Sequence, residues 1–323
     1  PTAPYAHQVR GDTSVLLLPS MQLLLLDRPH VMIYLNKVRR DNAMIKCISY
    51  WSMPGGLEGQ CPIPRAADAA ARAGFQGLEL AIAEKGVLTP ETDEKTCRFY
   101  AREVATRGLV LETLASGMSW GCSPTHPDPA VRQRSIELHC DALQRAAWLG
   151  CRTLLFVPGA VRIPWDPSYP PVRYDRAVEW AREAVGTLGE TAARVGVTLG
   201  VENVWNGLFY SPLEFAAFVD SFRNPHVGIY FDVGNMLAHQ QWPPHWIEIL
   251  GPRIRAVHLK DFKLSVGTLA GFCDLLEGDV PYPEVMAALR AIGYEGPLTA
   301  EMMPPDPTLL DRTSRAMDRI MSL

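Results

Sequence analysis

GVTLGVENVWNGLFYSPLEFAAFVDSFRNPHVGIYFDVGN, residues 196–235, reads as one complete strand–helix–strand repeat. The two short apolar runs Thr198–Val204 and Gly228–Val233 are rich in β-branched residues and are typical of buried strands. The stretch between them, Pro212–Phe222, has the pattern of an amphipathic helix. Because alternating strands and helices usually build a parallel sheet, this stretch predicts a βαβ unit.

The same alternation occurs about eight times from Met44 onward. The other strand-like runs are Ile45–Trp51, Gly77–Ile82, Leu109–Ala115, Thr153–Val157, Ile254–Phe262 and Leu298–Met302. The other helix-like stretches are Pro90–Arg107, Pro129–Leu149, Tyr174–Val195, Tyr282–Ile292 and Thr308–Met321. Eight such units in about 280 residues predict one α/β domain over residues 44–323, closed as a (β/α)₈ TIM barrel. An open Rossmann sheet is disfavoured, because no GxGxxG loop follows the first strand.

The first 43 residues differ from this pattern. Their apolar run Val15–Leu26 is too short to span a bilayer and is interrupted by Pro19 and Gln22. It also lacks the basic start and the cleavage site of a secretory signal. We interpret residues 1–43 as an N-terminal extension that precedes a native start at Met44. A genuine helical extension and an interfacial anchor are the alternatives.

Composition and charge exclude several classes of protein. Apolar residues make up 47% of the chain, which is enough for a large core. The net charge is −4 and no basic stripe occurs, so we expect neither a nucleic-acid partner nor a membrane partner. The seven cysteines are irregularly spaced and form no CxxC pair, which argues against a disulfide framework and favours the cytoplasm.

Four polar residues stand near the C-terminal ends of the last four predicted strands. They are Glu202 in GVENVWN, Asp232 in YFDVGN, His258 in VHLKDF and Glu301 in TAEMMP. Because the active sites of TIM barrels lie at this end of the strands, the four side chains are expected to meet at one mouth.

The types of these four residues indicate a metal site. Three carboxylates and one imidazole suit a hard divalent cation, with Mn²⁺ favoured, Mg²⁺ or Co²⁺ as alternatives and Zn²⁺ less well suited. Burying three acids without a cation would be costly. Such a site leaves room for the carbonyl and adjacent hydroxyl oxygens of a ketose, beside which a carboxylate can remove a proton.

The segments around these residues carry a family resemblance. Across ENVWNGLFYSPLEF (202–215), GIYFDVGN (228–235), VHLKDF (257–262) and GYEGPLTAEM (293–302), the chain resembles the xylose-isomerase-like sugar phosphate isomerase/epimerase superfamily. It looks closest to the ketose and ketose-phosphate 3-epimerase branches. The resemblance extends over residues 44–323.

The resemblance implies a metal site at Glu202, Asp232, His258 and Glu301. It also implies that Glu202 and Glu301 flank the bound sugar and transfer protons through a cis-enediolate. Returning the proton to the opposite face of the same carbon would give epimerisation, whereas returning it to the neighbouring carbon would give aldose–ketose isomerisation. Some ketose 3-epimerases carry a histidine three residues after the strand-six aspartate, where this chain has Asn235, so the substrate need not be theirs.

Residues near the ligands are candidates for substrate contact. We expect Asn235, Lys260, Trp205, Asn206 and Trp120 to line the pocket. Two long loops, residues 116–128 and 158–171, are expected to cover it, because each carries a tryptophan, Trp120 or Trp165, that could pack on a sugar face. Structural or incidental roles are favoured for Glu79, Asp261, His126, His239 and Arg162.

The sequence thus favours a divalent-metal-dependent sugar or sugar-phosphate isomerase, acting as a ketose 3-epimerase. The alternatives are an inosose-type dehydratase that uses the same metal site and a sugar-binding barrel without turnover. An endonuclease IV function is disfavoured, because a trinuclear zinc site would need more histidines. The expected partners are a small sugar or sugar phosphate and further copies of the chain, in a homodimer or homotetramer.

Overall fold

The computed structural model describes residues 44–323, and the expectation for the N-terminal extension lies outside these residues. The strands are β1 (Ile45–Ser49), β2 (Gly77–Ile82), β3 (Thr113–Ser116), β4 (Thr153–Phe156), β5 (Thr198–Glu202), β6 (Val227–Asp232), β7 (Ile254–Leu259), β8 (Asp261–Phe262), β9 (Phe272–Cys273) and β10 (Pro297–Ala300). The helices are α1 (Ile63–Arg72), α2 (Glu94–Ala105), α3 (Met118–Gly121), α4 (Pro129–Leu149), α5 (Tyr174–Val195), α6 (Pro212–Asp220), α7 (Val233–Ala238), α8 (Pro243–Leu250), α9 (Tyr282–Ala291) and α10 (Leu309–Met321).

Eight of these strands form a closed parallel barrel. Their order around the barrel is β1, β10, β7, β6, β5, β4, β3 and β2, and β2 pairs with β1 to complete the circle. The pairing of β1 with β10 is also parallel, with Ile48 beside Ala300. The (β/α)₈ barrel that the sequence predicts is therefore confirmed.

The outer helices close on the barrel through small residues. In α4, Ala142 and Ala146 lie one turn apart and are completely buried, and Ala181 and Ala184 of α5 are buried in the same way. The side chain of Asp128 accepts the N–H of Ala130 at the start of α4. Small buried faces bring these helices close to the strands and keep the strand ends in fixed positions.

Helix α2 is shorter than the predicted stretch Pro90–Arg107. The Asp93 carboxylate accepts the N–H of Thr96 at 2.8 Å and so starts the helix at Glu94. Residues 89–92 form a turn instead, closed by a hydrogen bond from Thr89 N to Thr92 Oγ1. The helix therefore starts at the residue after the Asp93 cap and not at Pro90, where the apolar pattern predicts its start.

The predicted strand Ile254–Phe262 is two separate elements. Strand β7 ends at Leu259, and the short strand β8 pairs antiparallel with β9 outside the barrel. The buried Asp261 carboxylate accepts the N–H groups of Phe262, Leu276 and Val280, which turns the chain away from the barrel wall. The structural role expected for Asp261 agrees with these contacts. Within residues 44–323, no helix is long and apolar enough to cross a membrane.

Candidate metal centre

Four side chains converge at the C-terminal mouth of the barrel. Glu202 and Asp232 are the last residues of β5 and β6, His258 is next to last in β7, and Glu301 directly follows β10. One possible ligand atom of each lies within 4.8 Å of those of the other three. Strand register brings them together, since Asp232 stands beside His258 across β6 and β7. All four residues are buried.

The donor atoms of this cluster fit a divalent cation. Asp232 Oδ2, His258 Nδ1 and Glu301 Oε2 are buried and make no well-aligned hydrogen bond with the described residues, although His258 Nδ1 lies 2.8 Å from Glu301 Oε2 and Lys260 Nζ lies 3.0 Å from both oxygens. Burying three carboxylates beside a single ammonium group leaves negative charge unbalanced, which is costly. A cation that all three contacted would offset this cost, and the oxygen-rich donor set suits a hard metal ion.

Glu79 sets the orientation of the His258 ring. His258 Nε2–H donates to Glu79 Oε1 at 2.9 Å, which leaves Nδ1 facing Glu301 Oε2 at 2.8 Å. The other Glu79 oxygen accepts hydrogen bonds from Thr113 and Tyr230 inside the barrel. Burial lowers the pKa of His258, but the carboxylates of Glu79 and Glu301 outweigh it and raise that pKa well above its usual value. A carboxylate behind a metal-binding imidazole fixes its tautomer and increases its basicity.

Asp232 is held by its own helix and by Asn203, which directly follows the neighbouring strand β5. Its Oδ1 accepts the N–H of Asn235 at 2.9 Å and caps helix α7. The side chain of Asn203 bridges the backbone of Asp232, accepting from its N–H and donating to its carbonyl oxygen. The Asn235 amide in turn donates to the Asn203 carbonyl oxygen at 3.1 Å. These contacts turn Asp232 Oδ2 toward the cluster.

Lys260 provides a positive charge at the edge of the cluster. Its Nζ lies 3.0 Å from Asp232 Oδ2 and 3.0 Å from Glu301 Oε2. The side chain points to the same side as that of His258, as its position two residues later predicts. Burial lowers the pKa of Lys260, but the carboxylates of Asp232 and Glu301 outweigh it and raise the pKa above its usual value. The ammonium group is therefore charged and already paired.

The two glutamates of the cluster differ in their electrostatic surroundings. Burial raises the pKa of Glu202 to about 7, although the neighbouring His258 and Lys260 act in the opposite direction. Burial also raises the pKa of Glu301, but Lys260 and His258 outweigh it and lower that pKa to about 2. Pairs of acids whose pKa values are driven apart in this way are common among acid/base partners.

A cavity of about 680 Å³ opens directly above the cluster. It is lined by Glu202 and Glu301 and by four of the five predicted substrate contacts, Trp120, Trp205, Asn235 and Lys260. Asn206 differs from its prediction, because it does not line the cavity. Its amide donates to the Gly159 carbonyl oxygen and accepts the N–H of Leu208, so it holds the loops together.

The loops after β3 and β4 form one wall of the cavity. Trp120 and Trp165 meet edge to face with their ring centroids 4.7 Å apart, and both line the cavity. Thr125 joins the loops by exchanging hydrogen bonds with the backbone of Ala160, at 2.8 and 2.7 Å. Arg162 is exposed and lies outside the cavity lining.

The chain is similar in sequence to a known protein family and to several named proteins. The family model for the xylose isomerase-like TIM barrel matches residues 67–320. The putative L-ribulose-5-phosphate 3-epimerase SgbU of Escherichia coli K12 is 27% identical over 241 residues, 71% of this chain and 79% of that protein. L-ribulose-5-phosphate 3-epimerase UlaE of Escherichia coli O1:K1 / APEC is 27% identical over 254 residues, 76% of this chain and 83% of that protein.

Solved structures share the architecture at lower identity. D-psicose 3-epimerase from Clostridium cellulolyticum H10, solved with D-tagatose, superposes with a TM-score of 0.72 at 19% identity and covers 86% of this chain and 99% of its own. An L-ribulose 3-epimerase superposes with a TM-score of 0.68 at 19% identity and covers 86% of this chain and 95% of its own. At such identities these structures show a common fold. Since the family model spans most of the barrel, the chain belongs to the xylose isomerase-like TIM barrel family.

Proposed function

We propose that the protein is a divalent-metal-dependent sugar 3-epimerase, in which Glu202 and Glu301 exchange protons with a ketose. One observation carries this proposal: both carboxylates line the same cavity and belong to a cluster with two further metal-type donors, Asp232 and His258. The relatives named as ribulose-phosphate 3-epimerases support the reaction type. Because ribulose is a ketose, the names of these relatives also support a keto sugar as the substrate class.

The four clustered residues would hold the cation. We propose Mn²⁺, because three carboxylates and one imidazole prefer a hard, six-coordinate ion. When bound, the ion would supply positive charge that stabilises negative charge on the carbonyl and neighbouring hydroxyl oxygens of the sugar. Glu79 would keep His258 Nδ1 directed at the cation.

The proton transfer belongs to the two glutamates. One carboxylate removes the proton from C3, and the electron pair that it leaves spreads over the C2–C3 enediolate of the sugar. The carboxylic acid of the other glutamate then returns a proton to C3 from the opposite face, which inverts that carbon. Because one proton leaves and one arrives, the reaction needs no oxidant and no reductant. Positioned carboxylates of this kind contribute about 10²- to 10⁴-fold to rate.

Substrate orientation would come from the walls of the cavity. Trp205 lines the cavity, where its indole ring can pack on the substrate. Trp120, which Trp165 supports edge to face, can pack against the apolar face of the sugar. Together these groups exclude water from the reacting carbon while the enediolate exists.

The test is hydrogen exchange at C3. The full chain, loaded with Mn²⁺, is incubated in D₂O with free and phosphorylated ketoses, and NMR follows the C3 proton and the product. We expect deuterium at C3 and formation of the C3 epimer. An aldose product would instead identify an isomerase, and loss of water a dehydratase. Absence of exchange across the whole panel would overturn the proposal.

A further inference from the structure

Within residues 44–323, the lining of the cavity has no unpaired cation with which to hold a phosphate group. Among the described residues that line it, Lys260 carries the only full positive charge, and its Nζ already lies 3.0 Å from both Asp232 and Glu301. Three acids share the lining, Glu202, Asp261 and Glu301. A phosphate dianion is normally recognised by free arginine or lysine side chains or by clustered backbone N–H groups. An anionic substrate end would therefore find no free cationic side chain among the described residues of the cavity.

The loop after β10 supplies few backbone donors. Residues 302–307 read MMPPDP, and Met302, Met303 and Pro304 line the cavity. Each of the three prolines in this loop lacks an N–H group. Its acid, Asp306, pairs with Arg312, which also pairs with Asp274, so this nearby guanidinium is engaged as well. The loop therefore offers no cradle for a phosphate.

The walls of the cavity are instead aromatic and apolar. Trp51, Trp120, Trp165 and Trp205 line it together with Phe272. Trp205 packs on Phe272 with 5.6 Å between the ring centroids. Trp165 has 48% of its surface exposed at the mouth of the cavity. Large exposed aromatic surfaces usually mark a binding groove.

The volume of the cavity exceeds the needs of a single sugar ring. Pockets of about 300–1,000 Å³ accommodate drug-sized ligands, and this cavity, at about 680 Å³, lies in the middle of that range. Of the four clustered residues, only Glu202 and Glu301 line it. A sugar bound at the floor by its carbonyl end would direct its distal end toward the tryptophans.

From these observations we infer the substrate class, an inference that rests on the proposed epimerase function. The structure assigns to this protein an unphosphorylated keto sugar that bears an apolar, aromatic substituent at the end distal to the carbonyl group. Neutral indole N–H groups can donate to sugar hydroxyl and ether oxygens, and the indole faces can pack on the substituent. The proton transfer at C3 is the same as for a simple ketose.

Three ketoses that differ only at the C5 oxygen test this inference. L-ribulose, L-ribulose 5-phosphate and 5-O-benzyl-L-ribulose are compared by C3 deuterium exchange with the Mn²⁺-loaded full chain, with each rate referred to the open-chain keto form, because only free L-ribulose can close a furanose ring through its C5 hydroxyl group. We expect kcat/KM to be highest for the benzyl ether and at least tenfold lower for the phosphate ester than for the free sugar. A phosphate ester that reacts fastest, or a benzyl ether no better than the free sugar, would overturn the inference but leave the epimerase intact. Absence of exchange with all three would overturn the epimerase and this inference together.

A pair of tryptophan variants tests whether the aromatic substituent binds beside Trp165. Trp165→Ala removes an exposed ring from the mouth of the cavity and should raise KM for the benzyl ether at least fivefold, with a smaller change for the free sugar. Trp242→Ala is the matched control, because Trp242 has 42% of its surface exposed and does not line the cavity. It should leave both KM values unchanged. Equal effects of the two variants, or an equal change for both substrates in Trp165→Ala, would contradict the assigned position of the substituent.

Discussion

Glu79 Oε1 accepts a 2.9 Å hydrogen bond from His258 Nε2, although 179 residues separate the two in the chain. The bond fixes the imidazole so that its other nitrogen faces Glu202 and Glu301. Glu79 therefore positions a candidate ligand without reaching the cation itself. Replacing Glu79 should therefore change the affinity for the metal ion more than it changes the stability of the fold.

The first prediction concerns metal affinity. Glu79→Gln retains the volume of the side chain but removes its charge, so His258 becomes a weaker donor. We expect Mn²⁺ to bind about 10- to 100-fold more weakly, as measured by calorimetric titration. Glu248→Gln, at an exposed position of α8, is the control and should bind Mn²⁺ like the unmodified protein. Equal affinities for Glu79→Gln and the control would show that Glu79 does not act through His258.

The second prediction concerns the acid/base pair. Glu301→Gln replaces a proton-accepting carboxylate by an amide of the same shape, and we expect C3 exchange to fall by about 10²- to 10⁴-fold. The circular dichroism spectrum should remain that of the unmodified chain. If the variant keeps most of its exchange activity, Glu301 is not one of the two proton-transfer groups.

The third prediction concerns removal of the metal. A ligand that binds only the folded state adds about 2.7 kcal/mol of stability at a hundred times its Kd. For a barrel of about 280 residues, that corresponds to a melting temperature about 5 °C higher with Mn²⁺ than with EDTA. Activity should disappear with EDTA and return with Mn²⁺. Asp232→Asn, which weakens the ligand set, should show a much smaller Mn²⁺-dependent shift, and a full shift in this variant would exclude the proposed site.

The fourth prediction concerns stability at acidic pH. His139 is buried, its Nδ1–H donates to the Ser135 carbonyl oxygen, and its Nε2 accepts from Ser116. Burial lowers its pKa from 6.5 to about 4. Between these values the unfolded chain binds the proton more tightly than the folded one. The contribution of His139, about 3 kcal/mol, is therefore complete above pH 6.5 and is lost as the pH falls toward 4.

This loss is measurable by urea unfolding at pH 7.5 and pH 5. In His139→Gln the decrease in unfolding free energy between the two pH values should be smaller than in the unmodified protein. His245→Gln, at an exposed position, should retain the full decrease. An unchanged pH dependence in His139→Gln would assign the acid sensitivity to other groups.

The sequence predicts the barrel and the convergence of the four candidate ligands, because both follow from local repetition. Each unit contributes one strand end, and Glu202, Asp232, His258 and Glu301 occupy matching positions in four successive units. Closure of the barrel then brings them to one mouth without further information. Each strand and its polar end residue can be recognised within a short stretch of sequence, although the site combines residues that lie far apart in the chain.

What the sequence did not predict depends on contacts between distant units. The partnership of Glu79 with His258 crosses the barrel interior, and the only signal for it was a charged residue in the apolar strand GLEL, which needs a buried partner. Asn203 was missed because its role is to bridge the backbone of Asp232. Asn206 follows Glu202 closely enough to suggest the pocket, but its amide is used by the loop at Gly159.

Lys260 gives the cluster a counter-charge that is part of the chain. Because its ammonium group lies between Asp232 and Glu301, the barrel mouth has some charge balance as soon as its strands assemble. Folding therefore does not have to wait for an ion from solution. The supply of metal in the cell would then set how much of the protein is active, and bound metal would add to the stability that the packing of the barrel already provides.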